Sequence, residues 1–188
     1  MAISKIDPLT TPAAAKRNGL AREVSEVVSV VKAMDPKYGA MFWSMCITGM
    51  GNAEYFDTPW EVLPDRVRIH GNKRPWRNRF IPLIQANIQR PTSTVKYLGQ
   101  ALREAAPEGW QLYDARRSFA HWCEMAQVAR PRISAYMGHK TKTMTELYLR
   151  HNVTPYLNAD AEKLREYIVE HKDAPTAPSA PPAPWSVL

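Results

Sequence analysis

A phenol, an imidazole, an amine and several guanidinium groups stand along this chain, residue types that can act on a phosphate. Tyr148 lies nine residues after His139, which belongs to the run Met137-Gly138-His139-Lys140. Arg116 falls within YDARRSFAHW (113–122), and Lys73 precedes Arg79 by six residues in a basic stretch. Glu54 closes the run TGMGNAE (48–54). A tyrosine hydroxyl can attack phosphorus and stay bonded to it as a covalent intermediate. Its ordinary pKa is about 10, so positive charge must favour the phenolate and the charge that builds on the phosphate. A guanidinium fork such as that of Arg116 matches two non-bridging phosphate oxygens. His139 can donate to the same phosphate or help to move a proton, and an ammonium among arginines, as at Lys73, has a lowered pKa suited to proton donation. Taken singly, each has an ordinary structural use: a histidine caps, a helical tyrosine packs, a helical arginine reaches solvent. Order and spacing give them weight together.

The elements that must position these groups are legible in the hydrophobic pattern. Val24, Val27, Val28, Val31 and Met34 mark one face of a helix over 21–34. Asp35-Pro36 predicts a cap and first position for a second helix over 37–47, apolar nearly all round and therefore buried. Glu61-Val62-Leu63, a Pro64-Asp65 turn and alternating Arg66–His70 predict a hairpin, with a third strand at 79–83 whose proline places it at an edge or strand end. Thr92 or Ser93 caps a helix burying Val95, Leu98, Leu102 and Ala105. Asp114 caps the next, with Phe119, Trp122, Met125 and Ala126 inward. Short helices follow from Pro131 to Gly138 and over 141–151, and a last one over 158–172 carries Leu164, Tyr167 and Ile168 on one side. The fold class is thus mainly α with a small antiparallel sheet of about three strands. Three segments result: a flexible leader (1–20), a folded domain (21–172), and a tail (173–188) with five prolines in sixteen residues, extended or disordered.

Composition bounds the function. At 188 residues, 45% hydrophobic and 23% charged, the chain can build one core and is not wholly disordered. It carries no apolar run long enough for a membrane span and no secretory leader. Cys46 and Cys123 stand in apolar helical contexts, which argues against a disulfide framework and for a cytoplasmic setting. A formal charge of +7 suits a polyanionic partner. Six Lys/Arg and no acid lie between Arg66 and Arg79, either as a solvated loop or as a nucleic-acid contact.

The ordered series from Phe42 to Leu149, continuing into the last helix, resembles the catalytic domain of the tyrosine recombinases, the phage integrase family. That family's boxes run TG-x-R-x-x-E, a hairpin lysine, an R-x-x-P-L strand, H-x-L-R-H-x-F-A, L-G-H, and a tyrosine about nine residues on. Thr48, Gly49 and Glu54 match the first, and Lys73 with Arg79-Phe80-Ile81-Pro82-Leu83 the second. Arg116, Ser118, Phe119 and Ala120 match the third, and Met137-Gly138-His139 with Tyr148 the last. The resemblance implies a site-specific recombinase that cuts and rejoins double-stranded DNA through a covalent 3′-phosphotyrosine, for integration or excision of a mobile element. Tyr148 would attack, Arg116 and His139 would hold the phosphate, Lys73 would protonate the leaving 5′ oxygen, and Tyr113 would assist. Arg68, Arg74, Arg77, Arg79 and Arg117 would contact DNA. No cofactor or metal is implied, because cations of the chain supply the electrostatic work. Family members act as tetramers on DNA and exchange a C-terminal segment; the helix over 158–172 is the candidate here, or else it packs on its own core.

Three departures qualify the resemblance. Gly51 stands where the first-box arginine belongs. Losing one preorganised donor costs about 3–4 kcal/mol, so either activity is severely reduced or Arg68, Arg74 or Arg77 swings in. Tyr113 replaces a histidine; its hydroxyl can donate to phosphate but carries protons poorly near neutral pH, and it could equally be a packed helix-start aromatic. Only about twenty residues precede the first helix, where the family has a further DNA-gripping domain, so a fragment, a truncated product or a minimal member is expected. Glu54 reads as structural, orienting an arginine or capping backbone. Arg74 and Lys96 rival Lys73, and His70, His121 and His151 read as packing or phosphate contacts. A catalytically impaired, non-enzymatic DNA-binding protein is the alternative.

Overall fold

The computed structural model describes residues 19–71, 78–139 and 153–174. Lys73, Arg74, Arg77, Tyr148 and His151 lie outside them, as do the expected helix over 141–151 and nearly all of the leader and tail. Among the described residues the protein is mainly helical, with seven α-helices and one three-stranded antiparallel sheet.

Helix α1 (Val24–Ala33) buries Val24, Val27 and Val30 against α2 (Pro36–Thr48). The Asp35 carboxylate accepts the Lys37 N–H at 2.9 Å and Pro36 opens α2, as the sequence predicts. Gly49 ends α2 at φ 62°, and a Cβ there would stand 2.4 Å from the Phe119 ring. Only glycine lets α2 end against α5 (Asp114–Met125) this closely. The chain then enters α3 (Asn52–Asp57), an element the sequence reading lacks. Six residues are too few to show a helical period, and the Gly-rich run before them reads as punctuation.

Strands β1 (Trp60–Val62), β2 (Arg66–Ile69) and β3 (Arg79–Pro82) lie in that order, with Trp60 opposite Ile69 and Ile69 opposite Arg79. Val67, Ile69 and Ile81 face the core, while Phe80 turns outward beneath the guanidiniums of Arg66 (5.1 Å) and Arg68 (5.9 Å).

Helix α4 (Val95–Ala105) buries Leu98 and Leu102, but Val95 is 43% exposed, contrary to the predicted inward face. Its cap position falls on Thr94, with no side-chain cap bond, rather than on Thr92 or Ser93. In α5, Ala115, Phe119, Trp122 and Cys123 point inward; Met125, expected inside, is half exposed because the chain turns away at Gln127 (φ 58°). Asp114 is the first helical residue, not the cap. After α6 (Arg130–Tyr136) and a 3₁₀ turn (Thr154–Tyr156), α7 (Leu157–His171) packs on α1, α5 and β3. Thus the C-terminal helix sits on its own core. Asp160 of α7, fully buried, accepts from the Tyr136 hydroxyl at 2.7 Å and from Arg132 at 2.7 and 3.0 Å. Both cysteines are buried and free, and no helix among the described residues is long and apolar enough to cross a membrane.

Candidate functional site

Arg116 is the centre of the site. Helix α5 aims it at the junction of α2 and α3, where Nη1 donates to the Gly49 carbonyl at 2.8 Å and to Glu54 Oε2 at 2.7 Å. Its Nη2 donates to the Met137 carbonyl at the end of α6, two residues ahead of His139. One guanidinium therefore joins the 48–54 run to the 137–139 turn across more than sixty residues of sequence on one side and about twenty on the other. Burial pushes the Arg116 pKa down, against the pull of the Glu54 charge.

Glu54 is the second hub, 4% exposed. Its carboxylate takes Arg79 Nη1 at 2.7 Å and Nη2 at 3.0 Å, Arg116 at 2.7 Å, and the Gly51 N–H at 3.1 Å. Burial opposes its ionisation, but the Arg79 hydrogen bonds and the charges of Arg79 and Arg116 hold the carboxyl down at about 2. The structural role expected of Glu54, orienting an arginine, matches this geometry.

Arg79 is placed differently from the DNA contact the sequence reading assigns it. It is 6% exposed, donates through Nε to the Tyr136 carbonyl at 2.6 Å, and turns its fork onto Glu54. A guanidinium thus lies beside Arg116, sharing Glu54 Oε2 with it, yet it comes from none of the expected substitutes. Strand alternation held the signal: Arg79 lies on the same side of β3 as Ile81, the buried side, and only its charge suggested solvent. Arg68 does not replace the first-box arginine either. It stays on the outer face of the sheet, 3.7 Å from Glu61, with an Nε that makes no hydrogen bond.

Gly138, at φ 63°, turns the chain after α6, and a Cβ on it would meet Arg79 Nη1 at 2.9 Å. His139 follows on the exposed side of this turn and lines a cleft of about 470 Å³ with Arg117, His121, Glu124 and Arg130. Arg117 stacks over the Tyr113 ring at 4.7 Å and pairs with Asp114 at 3.2 Å. Tyr113, 45% exposed, is not a packed core aromatic. His70 pairs with Glu61 at 3.0 Å, away from this cluster. Among the described residues, then, the structure brings together Arg116, Glu54, Arg79, Tyr113 and the turn that carries His139. Lys73, Arg74, Arg77 and Tyr148 lie outside the described residues. No family model, curated protein or solved structure matches the chain.

Proposed function

We propose that this chain cuts and rejoins DNA strands as a tyrosine recombinase, probing one phosphodiester at a time at the Arg116 site. In this reading the Tyr148 oxygen attacks phosphorus, the P–O5′ bond breaks, and a 3′-phosphotyrosine forms. The Tyr148 hydroxyl gives its proton to His139, the leaving 5′ oxygen takes one from Lys73, and Arg116 with His139 carries the charge of the transition state. Reversal with a new 5′ hydroxyl rejoins the strand. A tetramer on duplex DNA, acting for a mobile element in the cytoplasm, completes the reading.

The observation that carries it is the convergence of the 48–54 run and the 137–139 turn on the guanidinium of Arg116, from the 113–122 run, at hydrogen-bond distances, with Arg79 of the 79–83 run joined to the same cluster through Glu54. A further support is the pinning of α7 to α6 through Asp160, Tyr136 and Arg132. Residues 139 and 153, on either side of the stretch that contains Tyr148, therefore belong to the same folded body as Arg116.

The second reading, binding without cleavage, is favoured by Gly51. Its backbone (φ −76°, ψ 167°) admits any side chain, and the position supplies no second cation beside Arg116. The two readings separate on a pool of nicked duplexes that trap covalent intermediates. Protein–DNA adduct that disappears in Tyr148→Phe is the expected result. Binding to duplex without adduct establishes the second reading instead.

A further inference from the structure

Arg79 and Arg116 come from a strand and a helix far apart in sequence, yet both end on the last carbonyls of α6. At that end the Ile133, Ala135 and Ser134 carbonyls accept the N–H groups of Met137, Gly138 and His139. The next two oxygens take the arginines: Arg79 Nε donates to the Tyr136 carbonyl at 2.6 Å, and Arg116 Nη2 to the Met137 carbonyl. Terminal carbonyls lack helical partners and carry the negative end of the dipole, so guanidinium donors suit them. The same stretch of chain is held from the other side. The Tyr136 ring is buried, and its hydroxyl donates to Asp160 Oδ2 of α7 at 2.7 Å. Asp160, also buried, is itself held by Arg132 through Nε at 2.7 Å and Nη2 at 3.0 Å. Burial and the Asp160 carboxylate push the Tyr136 phenol up, so it stays protonated and donating near neutral pH.

We propose that Tyr136 and Asp160 are positioning residues of the Arg116 site: the phenol, held on α7, sets where α6 presents its carbonyls to Arg79 and Arg116. A tyrosine side chain is a stiff lever with two torsions, so fixing its oxygen restricts where its own backbone can stand. Arg116 commits three of its five N–H groups to Gly49, Glu54 and Met137, and the aim of the other two follows from those acceptors. Seating of α7 is thereby a condition for the geometry of the site and not only for the core. Neither Tyr136 nor Asp160 belongs to the motifs that carry the recombinase resemblance. The inference goes beyond that reading and holds for whatever anion Arg116 meets.

Hydrogen exchange in the intact chain, followed by NMR with labelled arginine and tryptophan, tests it. The reporter is the Arg79 Nε–H; the control is the Trp122 indole N–H, which donates to the Arg22 carbonyl at 2.9 Å. Tyr136→Phe keeps the ring and leaves Asp160 paired with Arg132. It is expected to speed Arg79 Nε–H exchange about tenfold while the Trp122 indole changes less than about twofold. A residue that only stabilised the fold would speed both alike through global opening, and that result would overturn the proposal. An unchanged Arg79 Nε–H would overturn it too. In an Asp160→Ala background, where the phenol has already lost its acceptor, Tyr136→Phe should add less than about twofold. An undiminished effect there would show that Tyr136 works without α7, and the coupling would fall. Should Asp160→Ala not fold, the Tyr136→Phe comparison decides alone. No DNA enters the measurement, so failure of the cleavage reading and failure of this one are told apart.

Discussion

Glu54 is surrounded by more positive charge than it can neutralise, and its protonation is therefore costly. Its carboxyl is lowered from 4.5 to about 2 in the folded chain. A depressed folded-state pKa contributes stability that is fully present above about 4.5 and lost as pH falls through 2. The linkage is on the order of 3 kcal/mol. Thermal melts between pH 6 and pH 2 should show that loss, and Glu54→Gln should remove this group's share of the pH dependence. At neutral pH the same variant removes the carboxylate that Arg79 and Arg116 share, and both guanidiniums are under a tenth exposed. Breaking a buried pair costs about 3 kcal/mol, which for a chain of this size lowers the melting temperature by roughly 10 °C. A change under 2 °C would mean that water screens the cluster. Only part of this arrangement could be read from the sequence. Glu54 reads from the sequence as structural, orienting an arginine or capping backbone; Arg79 as its principal partner does not, because charge pointed outward while alternation pointed inward.

Short connections between elements decide where Arg116 and His139 end up. Gly138 combines a positive φ with a close approach: a methyl group there meets Arg79 Nη1 at 2.9 Å and Cδ at 3.1 Å. Gly138→Ala should therefore cost about 1–2 kcal/mol for the left-handed backbone alone, with more from displacing a guanidinium that has no slack. Urea unfolding measures this; a variant as stable as the parent would show that Arg79 moves aside freely. The long elements were legible because their apolar pattern persists for about three turns, as a spaced face in α1 and α5 and as a run apolar nearly all round in α2. The Asp35-Pro36 start and the β1–β2 hairpin also follow from local rules. Helix α3 was not legible, since one and a half turns leave no period to detect. Val95 and Met125 were misplaced for a related reason: both lie in terminal turns, where periodicity continues on paper but the neighbouring helix does not.

Across the whole molecule, a formal +7 charge and the DNA reading lead to a salt test. If phosphate contacts supply most of the affinity, binding to an arbitrary duplex should fall by at least tenfold for every three to four phosphates neutralised between 50 and 200 mM salt. Fluorescence anisotropy over that range checks it, and a flat salt response would remove DNA as the partner.

Arg22 gives its backbone N–H to Ser118 (2.8 Å) and its carbonyl to the Trp122 indole (2.9 Å). Its guanidinium reaches Asp114 (3.3 Å) and lies over Trp110 (4.6 Å). The few residues ahead of α1 are thus bolted to the helix that bears the central guanidinium. Any load hung on the chain upstream of Gly19 pulls first on that bolt, so a neighbour attached there would have a mechanical handle on the helix that carries Arg116.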